Sequence, residues 1–146
     1  MEFKEIEVED NLEALVKAAF NADLKLEGAW GYTQALATVI NAENEGSREQ
    51  IEFTLATMRA YLEMNLTLSD EARYSAINLQ ELSREKVEGS YDKVVYEISA
   101  IKEVEYKEFI AEYKENSGKA EFDMSSHFAR RKEATLTREV VHWFKV

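Results

Sequence analysis

Apolar residues recur at three- and four-residue steps through most of this chain, the spacing of an α-helix with one buried face. Residues 10–23 place Leu12, Leu15, Val16, Ala19 and Phe20 on one face, and Asp10 with Glu13 forms a capping-box pattern at the start. Residues 30–43 repeat the spacing with Tyr32, Ala35, Leu36, Val39 and Ile40. Ser47-x-x-Gln50 caps a further helix whose stripe is Ile51, Leu55, Met58 and Leu62. Ser69, Asp70 and Glu71 open another, with acids placed at the positive end of the helix dipole and a stripe of Ala72, Ala76, Leu79 and Leu82 or Ser83.

From residue 91 the pattern divides. Val94, Ile98 and Ile101 suit a helix, but Val104 and Phe109 leave that stripe. The same β-branched and aromatic residues suit a strand pair. The length without a turn residue favours one long helix over 91–115. The last segment offers Phe122, Ser126, Ala129, Leu136, Val140 and Trp143 or Phe144 at helical steps, and short strands near Lys4–Val8 and Val140–Val146 remain compatible. The expected fold is therefore mainly α: a single domain over residues 1–146, built as an antiparallel helical bundle with a minor strand element near the termini.

Composition supports that reading. Pro is absent and Gly occurs five times, too few turn residues for a sandwich or barrel of short strands. Glu, a good helix former, fills 24 positions. Without Cys, thiol catalysis, thiolate metal sites and disulfides are excluded. The sequence shows no basic n-region with an apolar stretch and no apolar run long enough to span a membrane, so the expected location is the cytoplasm. The net charge of -11 repels phosphate backbones and argues against a nucleic-acid partner. That charge is uneven. Residues 1–116 hold 25 acids and 12 bases, whereas residues 117–146 hold 4 acids and 6 bases, with Arg130, Arg131 and Lys132 adjacent. The basic segment is expected to dock on the acidic body, within one chain or across a dimer.

Few constellations carry chemistry. Glu139-x-x-His142 on a helix would set a carboxylate and an imidazole one turn apart, half of what resembles the ligand set of ferritin-like di-metal bundles; a second pair would have to come from another subunit. Ser126-His127 with Arg130 three residues on resembles the phosphorylation box of sensor kinases, without the acid after the His and the later Thr-Pro. Glu85-x-x-Glu88 resembles half of the Mg²⁺ motif of helical nucleotide pyrophosphatases, but no Glu-x-x-Asp follows. Trp30, flanked by Gly28 and Gly31, and Tyr32 could anchor a partner on a turn or plug an open bundle end.

The reading these features support is a non-enzymatic protein acting through protein–protein contact, as a regulator, adaptor or chaperone-like accessory, and forming homo-oligomers without a cofactor. Trp30, Tyr32, Arg130, Arg131 and Lys132 are its candidate contact residues. A ferritin-like site at Glu139 and His142 is the alternative, and His phosphotransfer the third.

Overall fold

The computed structural model describes residues 5–8, 11–66, 72–116, 118 and 124–145. It is a mixed α/β fold, not a helical bundle. The elements run α1 (Leu12–Phe20), β1 (Leu26–Gly28), β2 (Thr38–Ile40), α2 (Arg48–Tyr61) with a π-helical turn (Leu62–Leu66), β3 (Tyr74–Val87), β4 (Tyr91–Lys102), α3 (Glu103–Asn116), α4 (Met124–Ala134) and β5 (Leu136–Lys145). One sheet takes the order β1-β2-β5-β4-β3. Its pairs are antiparallel except β2 with β5, which run parallel.

The two helices before the long strands start where local signals place them. Asn11 caps α1, its side chain accepting from Ala14 N at 2.7 Å, and Ser47 caps α2 by accepting from Gln50 N at 3.2 Å. Asp10 of the expected capping box lies outside the described residues, as do Ser69, Asp70, Glu71, Lys4 and Phe122. Residues 5–8 form no strand.

Elsewhere the expected helices are strands. The 30–43 segment is a loop followed by β2. Ala76, Leu79, Leu82 and Ser83 of the expected stripe belong to β3, and Ala72 precedes it; register shifts between Ser75 and Asn78 and between Glu81 and Ser83 spoil the two-residue alternation. Residues 91–102 are β4, and only from Glu103 does the chain turn helical. Residues 136–145 are β5, the middle strand of the sheet. Strand β5 is joined by backbone hydrogen bonds to β4 on one side and β2 on the other, whereas Arg130, Arg131 and Lys132 lie on α4, outside the sheet.

The sheet has an inner and an outer face. Asp92, Val94, Tyr96, Ile98 and Ala100 of β4 are buried, while the residues between them are half-buried. On the inner face, Val94, Tyr96 and Phe144 meet Leu12 and Val16 of α1, Leu26, Trp30 and Ile40, and Ile51, Leu55 and Ala56 of α2 in the main core. Ala60 and Met64 extend it with Tyr74, Ile98 and Ala100. Helices α3 and α4 form a hairpin arm held around His127, whose ring is fully buried beside Phe109, Tyr113 and Phe128. No helix of the described residues is long and apolar enough to cross a membrane.

Candidate functional site

Helix α2 lays charge, as well as apolar side chains, against the sheet. Arg48 and Glu52 are one turn apart, and Arg59 and Glu63 repeat the pair three turns later. Glu52, Arg59 and Glu63 are all buried. Each glutamate takes a second arginine from the sheet: Arg84 of β3 lies 2.6 Å from Glu52, and Arg138 of β5 lies 2.8 Å from Glu63. Arg48 also reaches Asp92 at 3.5 Å and the Lys145 carbonyl at 2.8 Å. Glu52 thus lies between Arg48 and Arg84, and Glu63 between Tyr32 and Arg138 with the Arg59 charge nearby, and these contacts fasten one helix across three strands. A buried charge is tolerated only when paired and hydrogen-bonded, which these are.

Burial pushes the Glu52 carboxyl up to about 7, against the pull of Arg84 and Arg48, and Asp92 adds to the push. The folded chain therefore keeps a proton that the unfolded chain, titrating near 4.5, has released. Stability from this group is largest below the unfolded value and declines as pH rises toward 7. Substituting Glu52→Gln fixes the neutral form. Between pH 5 and 7.5, urea titrations are expected to show the parent losing up to about 3 kcal/mol relative to the variant. A parent–variant difference that stays constant across that range would mean the carboxyl is ionised throughout.

The cluster around Arg59 and Glu63 anchors the loop that carries Trp30 and Tyr32. Arg59 donates to the carbonyls of Trp30 at 3.1 Å and Val141 at 2.9 Å, and its guanidinium lies 4.5 Å from the centre of the Tyr32 ring. Tyr32 donates to Glu63 at 2.6 Å and accepts from Ile6 N at 3.0 Å. Burial, and then this bond to Glu63, hold the phenol proton on. Thr38 donates to the Ala29 carbonyl at 2.6 Å, so toward His142 Nε2, 3.0 Å away, it can only accept. His142 is therefore the Nε2-protonated tautomer. Burial, followed by the nearby Arg59, keeps its pKa well below the usual histidine value and the ring neutral.

These positions settle what each candidate residue touches. Trp30 is fully buried and plugs the core, so it presents nothing to a partner. Tyr32 is half-buried and engaged on both sides of its hydroxyl. Glu139 and His142 occupy a strand, where a three-residue step sends side chains to opposite faces: His142 points inward, and Glu139 lies on the outer face opposite Glu97. The helical geometry that would bring them to one metal is absent. Among the described residues no group of three His, Asp or Glu stands close enough to hold a metal ion. His127 sits 3.3 Å from Glu112 with its ring covered. Arg130 also clasps Glu112 through two nitrogens, and Arg131 lies over Tyr106 at 5.3 Å. Lys132 is exposed on the same helix. Arg130 and Arg131 thus serve the hairpin arm first.

The open surface lies elsewhere. A cleft of about 770 Å³ runs between α1 and α2, with Ala18, Ala19, Thr54 and Thr57 among its lining and Phe20, Met58, Phe53 and Tyr61 around them. Phe53 and Tyr61 are 42% and 45% exposed, and Phe20 meets Tyr61 edge to face at 5.9 Å. The stripe of Ile51, Leu55, Met58 and Leu62 dominates the helical pattern of α2 and hides these residues. The overlooked signal is Phe53-x₃-Thr57-x₃-Tyr61, aromatic residues at helical spacing on the other side of α2. Comparisons with protein-family models, with curated proteins and with solved structures give no match.

Proposed function

We propose that the protein is a non-enzymatic binding module that receives an amphipathic helix of a protein partner in the cleft between α1 and α2. The observation that carries this reading is the pair Phe53 and Tyr61, large aromatics left more than 40% exposed beside a floor of small residues. Small side chains let a partner backbone approach closely, and a helix presenting apolar residues at i, i+3, i+4 and i+7 fills such a groove. A small-molecule site would enclose roughly 70–90% of its ligand, and a rim this exposed favours a macromolecular occupant. Tyrosine and phenylalanine carry large apolar area at little conformational cost, which suits them as anchors.

The test is selection from a library of displayed helical peptides, with the Phe53→Asp/Tyr61→Asp variant as the counter-target. Peptides retained by the parent and rejected by the variant should share an apolar i, i+3/i+4, i+7 face. Both side chains are well exposed, so the variant is expected to fold, and its circular dichroism should match the parent. If no peptide distinguishes the two proteins, the cleft is not a helix receptor.

A further inference from the structure

A second hollow, of about 530 Å³, opens on the far side of Tyr61, where the end of α2 meets the starts of β3 and α3. Among the described residues it shares only Thr57 and Tyr61 with the cleft. Two breaks in regular backbone converge on its walls. The π-helical turn Leu62–Leu66 carries Asn65 into it. Strand β3 is bulged between Ser75 and Asn78, with Ala76 at a φ of +54°, a left-handed conformation that L side chains rarely adopt. Such turns, bulges and left-handed residues are costly to hold and recur where a site has to be shaped. Arg73 enters the wall just ahead of β3, its carbonyl accepting from the N–H of Glu103, the first residue of α3, at 2.8 Å.

The groups brought together there are hydrogen-bond donors beside aromatic rings. Asn65 is 8% exposed, and its side-chain oxygen accepts from Tyr74 N at 3.1 Å. The NH2 of the same amide is therefore the group it offers to the hollow. Arg73 brings a guanidinium, a planar fork of N–H donors whose geometry matches a carboxylate. Glu103 is the only acid among the described lining residues, and Lys107 stands 3.8 Å from its carboxylate. Arg131 lies over the Tyr106 ring at 5.3 Å and adds positive charge at that wall, in a chain whose net charge is -11. The rings of Tyr61, Tyr74 and Tyr106 supply the apolar part. Volume, largely aromatic walls and a few converging polar groups are the features of a small-ligand site. We propose that this hollow binds a small aromatic carboxylate. Its carboxylate accepts from Arg73 and from the Asn65 amide, and its ring lies among the tyrosines, where offset or edge-to-face contacts favour a flat π-system. This inference stands apart from the helix reading of the cleft, because the donors belong to the hollow alone.

Heteronuclear NMR titration of the full chain with benzoate, phenylacetate and naphthoate is the experiment. The matching primary amides, the matching amines and inorganic phosphate serve as comparison probes. At least one aromatic carboxylate should saturate with a dissociation constant between roughly 10 µM and 5 mM, the range open to ligands of this size. Its shifts should centre on the Asn65 side-chain NH2 and on the backbone of Arg73, Ser75 and Ala76. The matching amide should bind at least about tenfold more weakly, since it forfeits the charge-assisted bonds to Arg73. Arg73→Gln should weaken the carboxylate by a similar factor and leave the amide nearly unchanged. Should Arg73→Gln melt early, Tyr106→Ala replaces it and should weaken carboxylate and amide alike. Phe53→Asp should bind the carboxylates as the parent does, which keeps this outcome separate from that of the cleft. The proposal is overturned if no aromatic carboxylate moves these signals, or if the shifts centre on Phe53. It is equally overturned if amides, amines or phosphate bind there as tightly as the acids, or if the folded variant binds both probes like the parent.

Discussion

Gly31→Ala is expected to cost roughly 3–4 kcal/mol, a large share of the about 5–15 kcal/mol that holds a typical domain together. Gly31 has a φ of +77°, a left-handed conformation that costs any L side chain about 1–2 kcal/mol. An added Cβ would also lie 2.2 Å from His142 Cδ2 and 2.5 Å from the Trp143 carbonyl oxygen. Neither neighbour can yield easily. His142 is fixed by Thr38 and stacks on Phe144 at 4.1 Å, and the backbone of Gly31 is tied on both sides, its N–H to Leu36 O and its carbonyl to Trp143 N, each at 2.8 Å. Overpacking without room to relax adds about 1–3 kcal/mol. Chemical denaturation should show the midpoint falling steeply. His142→Ala in the same chain should recover only part of the loss, because the Trp143 carbonyl contact and the backbone strain remain. A variant as stable as the parent would mean the loop moves freely away from β5.

Arg59→Met should be at least as damaging, by about 3–5 kcal/mol. The methionine conserves apolar volume but leaves the Trp30 and Val141 carbonyls without their donor, and it takes one cation from the surroundings of Glu63. Each carbonyl left dry costs about 1–3 kcal/mol. The defect spreads beyond α2, since the same arginine holds the Trp30 loop and strand β5. Arg59→Lys should rescue little, because one ammonium cannot reach two carbonyls with the fixed fork of a guanidinium. Equilibrium unfolding of both variants measures this directly. A loss below about 1 kcal/mol for Arg59→Met would show that water replaces the guanidinium there.

Local signals in the chain were enough for α1 and α2, whose caps and apolar stripes lie within a few residues of each other. They were not enough for the sheet. In β3 the distal half, from Gln80 to Lys86, lies at the sheet edge and is largely exposed, so no alternation marks it, and its Glu, Lys and Arg residues favour helix in isolation. Ala76, at φ +54°, and the irregularity around Leu82 reset the register twice. In β4 the alternation of Asp92, Val94, Tyr96, Ile98 and Ala100 was present, but Val94, Ile98 and Ile101 also fit a helical stripe, and only pairing with β3 and β5 decides between them. In β5 the residues on the supposed helical face divide between the two faces of the sheet: Phe144 is buried inside, whereas Trp143 lies outside.

The charged residues of α2 were the least legible part of the site. Arg48 with Glu52, and Arg59 with Glu63, have the spacing of solvent-exposed helix pairs. What turns them inward is the pair of arginines waiting on the sheet, Arg84 and Arg138, which lie 32 and 75 residues away from their glutamates. No window of sequence contains both partners. Trp30 was legible as a residue between two glycines, and its burial follows from the close approach that Gly31 allows between the loop and His142.

Photo-crosslinking in the native cell tests the proposed partner cleft most directly. A benzophenone amino acid is placed at Phe53 or at Tyr61, and, as a control, at Leu82, an equally exposed apolar residue on the sheet edge. Positions 53 and 61 should yield the same discrete adduct with a different protein, and the crosslinked peptide of that protein should carry an apolar helical face. Position 82 should not yield it. Adducts that are identical at all three positions, or that contain only a second copy of this chain, would contradict the cleft as a partner site.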